Sequence, residues 1–223
     1  MQTIQYTFNG YEATVIRPDN PNGKWIWKTE FLHAFEASEI SLSELGYTRV
    51  YYGISNMYGS PRAVRLMHRF YMDVKERFGL TDRCILFGFS RGGLYAFNFA
   101  LSYPEYVEKI YLDAPVLDLR TWPTPGSDQQ AEMCREYSIC SSCLDGFTGN
   151  PIENLSEFFS HKIPLLLVAG DSDEIVPFDK NSERMIDYCE RENIKIKYIV
   201  KSGCAHHPHS LDDVSPIVDF VTH

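Results

Sequence analysis

The first part of the chain alternates apolar and polar residues, which is the pattern of a half-buried β-strand. The alternation covers residues 3–16 and is centred on Asn9-Gly10, a dipeptide that strongly favours a tight hairpin turn. A polar loop follows, and residues 24–27 then form a short run with two tryptophans. This pattern predicts an antiparallel β-hairpin followed by a third, short strand.

Beyond residue 30, short apolar runs alternate with segments of helical periodicity. Buried strands are predicted at residues 47–54, 84–87, 110–112, 163–169 and 194–200. Helices are predicted at residues 31–45, with a break near Ser38, and at residues 61–78, 90–101, 182–191 and 210–222. Such alternation predicts an α/β fold with a mostly parallel central sheet and helices on both faces.

One segment does not fit this alternation. Residues 118–159 separate two predicted strands by far more chain than a crossover connection requires. An insertion of this kind in an α/β sheet is often a small cap over the active site. We therefore predict one domain over residues 1–223, with a small helical cap insertion at about residues 118–159.

Composition and charge limit the possible partners and the location of the protein. The chain has 223 residues, enough to bury one large core without disulfides. Its net charge is −9, and no cluster of lysines or arginines forms a phosphate-binding stripe, which argues against nucleic acid as a partner. The N-terminus lacks the pattern of a signal peptide, and no stretch approaches the ~18 apolar residues of a membrane span. We expect a cytoplasmic protein with no membrane partner, whose six cysteines are reduced thiols.

A candidate nucleophile lies between a predicted strand and a predicted helix. Residues 88–92 have the sequence GFSRG, which matches the G-x-S-x-G pattern of a nucleophile elbow. In such a turn the hydroxyl of Ser90 projects clear of the sheet, and the flanking glycines avoid collisions with the neighbouring strand and helix. The start of the helix directs backbone N–H groups at the same point. The N–H of Arg91 is therefore the expected first oxyanion donor.

Two later motifs extend this pattern. The segment after the strand at residues 163–169 reads GDSDEIVP, and the segment after the strand at residues 194–200 contains GCAH. Together with the elbow, and in this order, they resemble the motifs of the α/β-hydrolase superfamily, in particular its small bacterial serine esterases and acyl-hydrolases. The resemblance covers the sheet, the motif order and the position of the insertion. It implies an α/β-hydrolase fold.

The resemblance also implies a Ser-Asp-His catalytic triad. The acid loop of the superfamily has the form G-x-x-D-x-x-V-P, which places the acid at Asp173, with Asp171 and Glu174 as neighbouring rivals. The general base is expected on the loop after the last strand, within reach of the nucleophile. The G-x-G-H turn of the superfamily is matched there with alanine for the second glycine. This match places the base at His206, with His207 as the alternative.

The implied reaction is acyl transfer without a cofactor. The base takes the proton of the Ser90 hydroxyl, an acyl-serine forms, and water hydrolyses it. Many esterases supply a second oxyanion donor from an early H-G-G loop, but residues 25–30 here read WIWKTE. A backbone N–H near Lys28 is predicted to take this role. Glu30 and Tyr58 are predicted to line the pocket for a small-molecule ester substrate.

Histidines and cysteines gather in two places without predicting a metal site. His206, His207 and His209 are close in sequence, but a His-Pro-His segment offers poor shared geometry for one ion, and no carboxylate lies at ligand spacing nearby. Cys140 and Cys143 form a C-x-x-C pair without the second pair typical of structural zinc. We predict no metal, and buried thiols rather than an oxidised pair.

These motifs favour a serine hydrolase for carboxylic esters with short acyl groups or for esters on carbohydrates. The insertion is too short for a large lid, which disfavours a long-chain lipase. A serine peptidase of the prolyl-oligopeptidase type shares the elbow and the motif order, but that type usually carries a further large domain. A catalytically inactive binding protein on the same scaffold is the third hypothesis, and it is disfavoured because such a protein has usually lost one of the three residues.

Overall fold

The computed structural model describes residues 1–223 and contains one eight-stranded sheet. The strands are β1 (Gln2–Phe8), β2 (Tyr11–Arg17), β3 (Trp25–Lys28), β4 (Thr48–Tyr52), β5 (Cys84–Phe89), β6 (Val107–Asp113), β7 (Leu165–Gly170) and β8 (Lys197–Lys201). Their order in the sheet is β1-β2-β4-β3-β5-β6-β7-β8. The first two strands form the predicted antiparallel hairpin, β2 pairs antiparallel with β4, and the remaining pairs are parallel.

Helices cover both faces of the sheet, as predicted. They are α1 (Ala37–Glu44), α2 (Pro61–Phe78), α3 (Gly92–Ser102), α4 (Asp128–Tyr137), α5 (Leu155–Ser160), α6 (Ser182–Arg191) and α7 (Ser215–Thr222). Helices α1 and α7 pack over an apolar cluster that contains Phe87 and Phe89 of β5. The other helices share the larger cluster on the opposite face, which contains Trp27 and Leu86. This arrangement confirms the α/β-hydrolase fold. None of the helices has both the length and the apolar character needed to cross a membrane.

Two predicted helices begin later than their periodicity indicates. The helix predicted at residues 31–45 begins only at Ala37, because Phe31 and Phe35 have φ values of 58° and 52°, which break a right-handed helix. The helix predicted at residues 210–222 begins at Ser215.

The insertion at residues 118–159 contains α4, α5 and short 3-10 turns. Its first residue, Asp118, is buried and accepts hydrogen bonds from Arg120 (2.7 Å) and from Arg184 of α6 (3.2 Å). On its other side, Glu132 of α4 accepts a hydrogen bond from the hydroxyl of Tyr58, on the loop after β4. The insertion is therefore anchored to the body of the sheet at both sides.

The prediction that all six cysteines are thiols is wrong. Cys140 and Cys143 form a disulfide, with a Cα–Cα distance of 5.2 Å. A 3-10 turn at Ser141–Gly146 brings the two residues within the Cα–Cα range that a disulfide spans. Cys84, Cys134 and Cys189 are buried thiols, and Cys204 is a half-buried one.

Candidate active site

The chain turns sharply at Ser90, between β5 and α3. Ser90 has a φ of 50°, in the left-handed region that residues with a Cβ rarely adopt. Its N–H donates to the carbonyl of Asp113 on β6, and its own carbonyl accepts from the N–H groups of Gly93 and Val116, each at 2.9 Å. The neighbouring strand and the first turn of the helix thus hold this strained conformation.

The glycines on either side of Ser90 lie where there is no room for a side chain. A Cβ on Gly88 would lie 2.9 Å from the Cβ of Ala96, and one on Gly92 would lie 3.0 Å from the Oγ1 of Thr29. The hydroxyl of Thr29 also donates to the carbonyl of Gly92 at 2.8 Å. Close packing of β5, α3 and the turn after β3 therefore explains the G-x-S-x-G spacing.

Ser90, His206 and Asp173 form a continuous hydrogen-bonded array beyond the carboxyl ends of β5, β8 and β7. The Oγ of Ser90 lies 2.9 Å from Nε2 of His206, and Nδ1 of His206 lies 2.6 Å from Oδ2 of Asp173. The three residues are 8%, 4% and 5% exposed, respectively. Because a carboxylate only accepts hydrogen bonds, Asp173 favours the tautomer with a proton on Nδ1. Nε2 is then the acceptor for the serine hydroxyl.

The two rival acids of the same loop take other positions. The second carboxylate oxygen of Asp173 accepts from two backbone N–H groups of its own loop, at 2.9 Å each. The carboxylate of Asp171 instead accepts from the N–H of Gly203 at 2.7 Å, which ties the acid loop to the histidine loop. Glu174 is exposed. Only Asp173 forms a hydrogen bond with His206.

Arg91 directly precedes α3, so its N–H is among the first amides of the helix, which have no partner within it. Its side chain forms an ion pair with Glu30 at 3.4 Å. Glu30 also accepts from the hydroxyl of Ser55 at 2.9 Å. Burial is the largest influence on Glu30 and raises the pKa of its carboxyl above the ordinary value, against the opposing effects of Arg91 and Ser55. Glu30 thus lies beside the elbow, whereas Tyr58 lies under α4 with its hydroxyl on Glu132.

The backbone of Lys28 does not have the position that an oxyanion donor needs. Lys28 is the last residue of β3 and pairs with β4 on one side and β5 on the other. Its Nζ forms a buried ion pair with Glu39 at 3.0 Å. The segment that reaches the elbow is the following turn, since the backbone nitrogen of Glu30 lies 3.5 Å from where a Cβ on Gly92 would stand. The N–H of Thr29 donates to the carbonyl of Phe87 at 3.0 Å, so the expected second oxyanion donor shifts from Lys28 to residues 30–31.

A second buried Asp–His pair lies beside the array, and sequence reasoning missed it. Asp113, at the end of β6, is fully buried and accepts from Nδ1 of His209 (2.7 Å) and from the N–H of Ser210 (2.8 Å). The hydroxyl of Tyr111 donates to the same carboxylate. The available signal was a single aspartate that directly follows the apolar run at residues 110–112 and therefore needs a buried partner.

The three histidines lie closer together than their Pro-interrupted spacing indicates. One nitrogen from each of His206, His207 and His209 lies within 4.8 Å of those of the other two. Carboxylates are also present, because the ends of β6 and β7 bring Asp113 and Asp173 to the same loop. His207 is exposed, and partial burial followed by the two neighbouring imidazoles lowers its pKa below the ordinary value.

Comparison with known proteins assigns the family. Residues 70–223 match the sequence profile of the prolyl oligopeptidase family. The chain belongs to this family of serine hydrolases. A search of curated protein sequences finds no significant match.

Solved structures show the same fold for this prolyl oligopeptidase family member. A puromycin-hydrolysing peptidase of Mycobacterium tuberculosis superposes with a TM-score of 0.71 at 14% identity over 98% of this chain, which spans only 37% of that peptidase. The fluorophosphonate-binding serine hydrolase F of Staphylococcus aureus gives 0.71 at 14% identity over 99% of this chain and 94% of its own. A carboxylesterase of Lactobacillus plantarum gives 0.65 at 18% identity over 92% and 85%. These likenesses show that the chain has the α/β-hydrolase fold.

Proposed function

We propose that this chain hydrolyses carboxylic esters through an acyl-serine intermediate. The observation that carries the proposal is the continuous array from Ser90 through His206 to Asp173, with hydrogen bonds of 2.9 and 2.6 Å. In this proposal Ser90 is the nucleophile, His206 is the general base and Asp173 orients the imidazole and stabilises its protonated form.

The reaction follows from the positions of these atoms. As the Oγ of Ser90 attacks the carbonyl carbon, Nε2 of His206 takes the serine proton. The tetrahedral oxyanion then forms beside the start of α3, where the N–H of Arg91 donates to it together with an N–H of residues 30–31. His206 next gives its proton to the leaving alcohol. Water repeats the sequence on the acyl-serine and releases the acid.

Peptide hydrolysis is the second candidate, because the matched family takes its name from oligopeptidases. One chemical argument favours esters. An alkoxide leaves a tetrahedral intermediate more readily than an amide nitrogen does. The two short helices of the insertion favour short acyl groups or esters on carbohydrates over long lipid chains.

The first test is a comparison of wild type with Ser90→Ala. We expect wild type to react with a fluorophosphonate probe and to turn over p-nitrophenyl acetate, and Ser90→Ala to lose labelling and about 10⁴-fold or more in kcat. Labelling that persists in Ser90→Ala would mean that another residue is the nucleophile. Absence of both reactions in wild type would favour an inactive binding protein.

A matched substrate pair separates the two enzyme hypotheses. The p-nitrophenyl ester and the p-nitroanilide of the same N-acetylated amino acid share the acyl group and differ only in the leaving atom. We expect turnover of the ester and little turnover of the anilide. A kcat/KM for the anilide as high as for the ester would favour the peptidase.

A further inference from the structure

We propose that His206, His207 and His209 bind a divalent transition metal ion such as Zn²⁺, and that the bound ion reversibly inhibits the hydrolase. The inhibition rests on the proposed role of His206 as the base, whereas the binding does not.

The three imidazoles lie against one another. Their ring centroids are 4.8 to 4.9 Å apart in every pair, and the ring planes cross at 75° to 86°, so the rings pack edge to face and do not stack. One nitrogen of each ring lies within 4.8 Å of the others. Zn–N bonds of about 2.0–2.1 Å at tetrahedral angles place nitrogens about 3.4 Å apart. His207 is exposed and has no carboxylate partner, so it is the ring that moves inward.

Two of the three rings already have the partners that metal-binding histidines have. Nδ1 of His206 donates to Asp173 at 2.6 Å, and Nδ1 of His209 donates to Asp113 at 2.7 Å. Such carboxylate–histidine pairs fix the tautomer with Nε2 unprotonated and increase its strength as a ligand. Nε2 of His209 has no hydrogen-bond partner in the chain. Two buried carboxylates behind the rings also offset the charge of a cation.

The identity of the ligands sets the class of ion. Imidazole nitrogen suits Zn²⁺, Cu²⁺ and Ni²⁺, whereas Mg²⁺ and Ca²⁺ prefer oxygen. A three-histidine site therefore discriminates between the two classes.

Inhibition follows from one shared atom. Nε2 of His206 is the acceptor for the Ser90 hydroxyl, at 2.9 Å. Its single lone pair cannot hold both a metal ion and the serine proton. A bound ion therefore removes the general base and leaves Ser90 as an ordinary alcohol.

The inhibition experiment titrates wild type and variants with ZnCl₂ during ester hydrolysis, with MgCl₂ as the ionic control and EDTA to reverse the effect. Each variant is compared with its own activity without metal. We expect His207→Gln and His209→Gln to need at least about tenfold more Zn²⁺ for half-inhibition. His161→Gln, an exposed histidine after α5, should behave as wild type. Equal Zn²⁺ sensitivity in all variants, or equal inhibition by Mg²⁺, would overturn the proposal.

A binding experiment tests the metal site separately from the proposed ester hydrolysis. Calorimetric titration of Ser90→Ala with Zn²⁺ needs no activity, and we expect one ion per chain, bound at least as tightly as by wild type because the hydroxyl no longer competes. Adding His207→Gln should weaken this binding by at least about tenfold. Failure of Ser90→Ala to bind Zn²⁺ overturns the metal site and leaves the esterase intact. One-to-one binding without inhibition of wild type instead overturns the inhibition and the role of His206.

Discussion

Nδ1 of His206 lies 2.6 Å from Oδ2 of Asp173, although 33 positions separate the two residues in sequence. Two backbone N–H groups hold the other oxygen of Asp173 and so aim the carboxylate at the imidazole. Asp171, only two residues earlier, is turned toward Gly203 instead. The geometry of the loop thus distinguishes two acids that the motif places side by side.

This difference predicts a large loss of activity for one isosteric substitution and a small change for the other. Asp173→Asn should lower kcat for ester hydrolysis by about 10⁴-fold, because an amide does not stabilise the imidazolium and favours the wrong tautomer. Asp171→Asn, the matched control, should change kcat by less than tenfold. Steady-state kinetics on p-nitrophenyl acetate measures both. A larger loss in Asp171→Asn than in Asp173→Asn would move the acid to Asp171.

The close approach of α3 to the segment after β6 predicts a loss of stability. A Cβ on Gly93 would stand 2.5 Å from the Cβ and 3.0 Å from the Cα of Pro115, whose ring cannot rotate away. Gly93→Ala should therefore lower the free energy of unfolding in urea by about 1–3 kcal/mol. Gly146→Ala is the control, since no atom lies within 4 Å of its added Cβ. Equal stability of the two variants would contradict the packing described here.

The buried carboxylate of Asp113 predicts a second stability effect. Asp113→Asn leaves three donors, from His209, Ser210 and Tyr111, with one neutral acceptor in place of a charged carboxylate. We expect the free energy of unfolding to fall by about 1–3 kcal/mol. Asp145→Asn, at an exposed position, should leave it unchanged. Urea unfolding of both variants measures the difference. An unchanged free energy of unfolding in Asp113→Asn would mean that the carboxylate is not needed in that position.

Loss of the disulfide is predicted to have little effect on stability or activity. Cys140 and Cys143 are three positions apart, so their bond closes a very short loop. The double substitution Cys140→Ser/Cys143→Ser should cost at most about 2 kcal/mol of unfolding free energy and leave kcat unchanged. Wild type with and without a thiol reductant provides the matched measurement. A large loss of activity would give this pair a role in the site.

The periodicity of the sequence did not predict several features of the fold. Apolar spacing predicted a helix from residue 31, yet the helix begins at Ala37, since Phe31 and Phe35 turn the chain through the left-handed region. A backbone N–H near Lys28 was predicted to be the second oxyanion donor, but β4 and β5 pair with Lys28 on both sides, and Glu39 binds its side chain. Periodicity reports which side of an element faces the core, but not where tertiary contacts bend it.

The sequence by itself determined the order of the strands and helices along the chain, the positions of Ser90 and His206, and the acid loop that contains Asp173. It did so because loops at the carboxyl ends of parallel strands meet at one edge of the sheet, so motif order alone places them together. Only the tertiary structure decided which acid faces His206, and that Asp113 binds His209 across 96 positions of chain. Such pairs form between different strands, and the direction of each side chain depends on packing that no local pattern records.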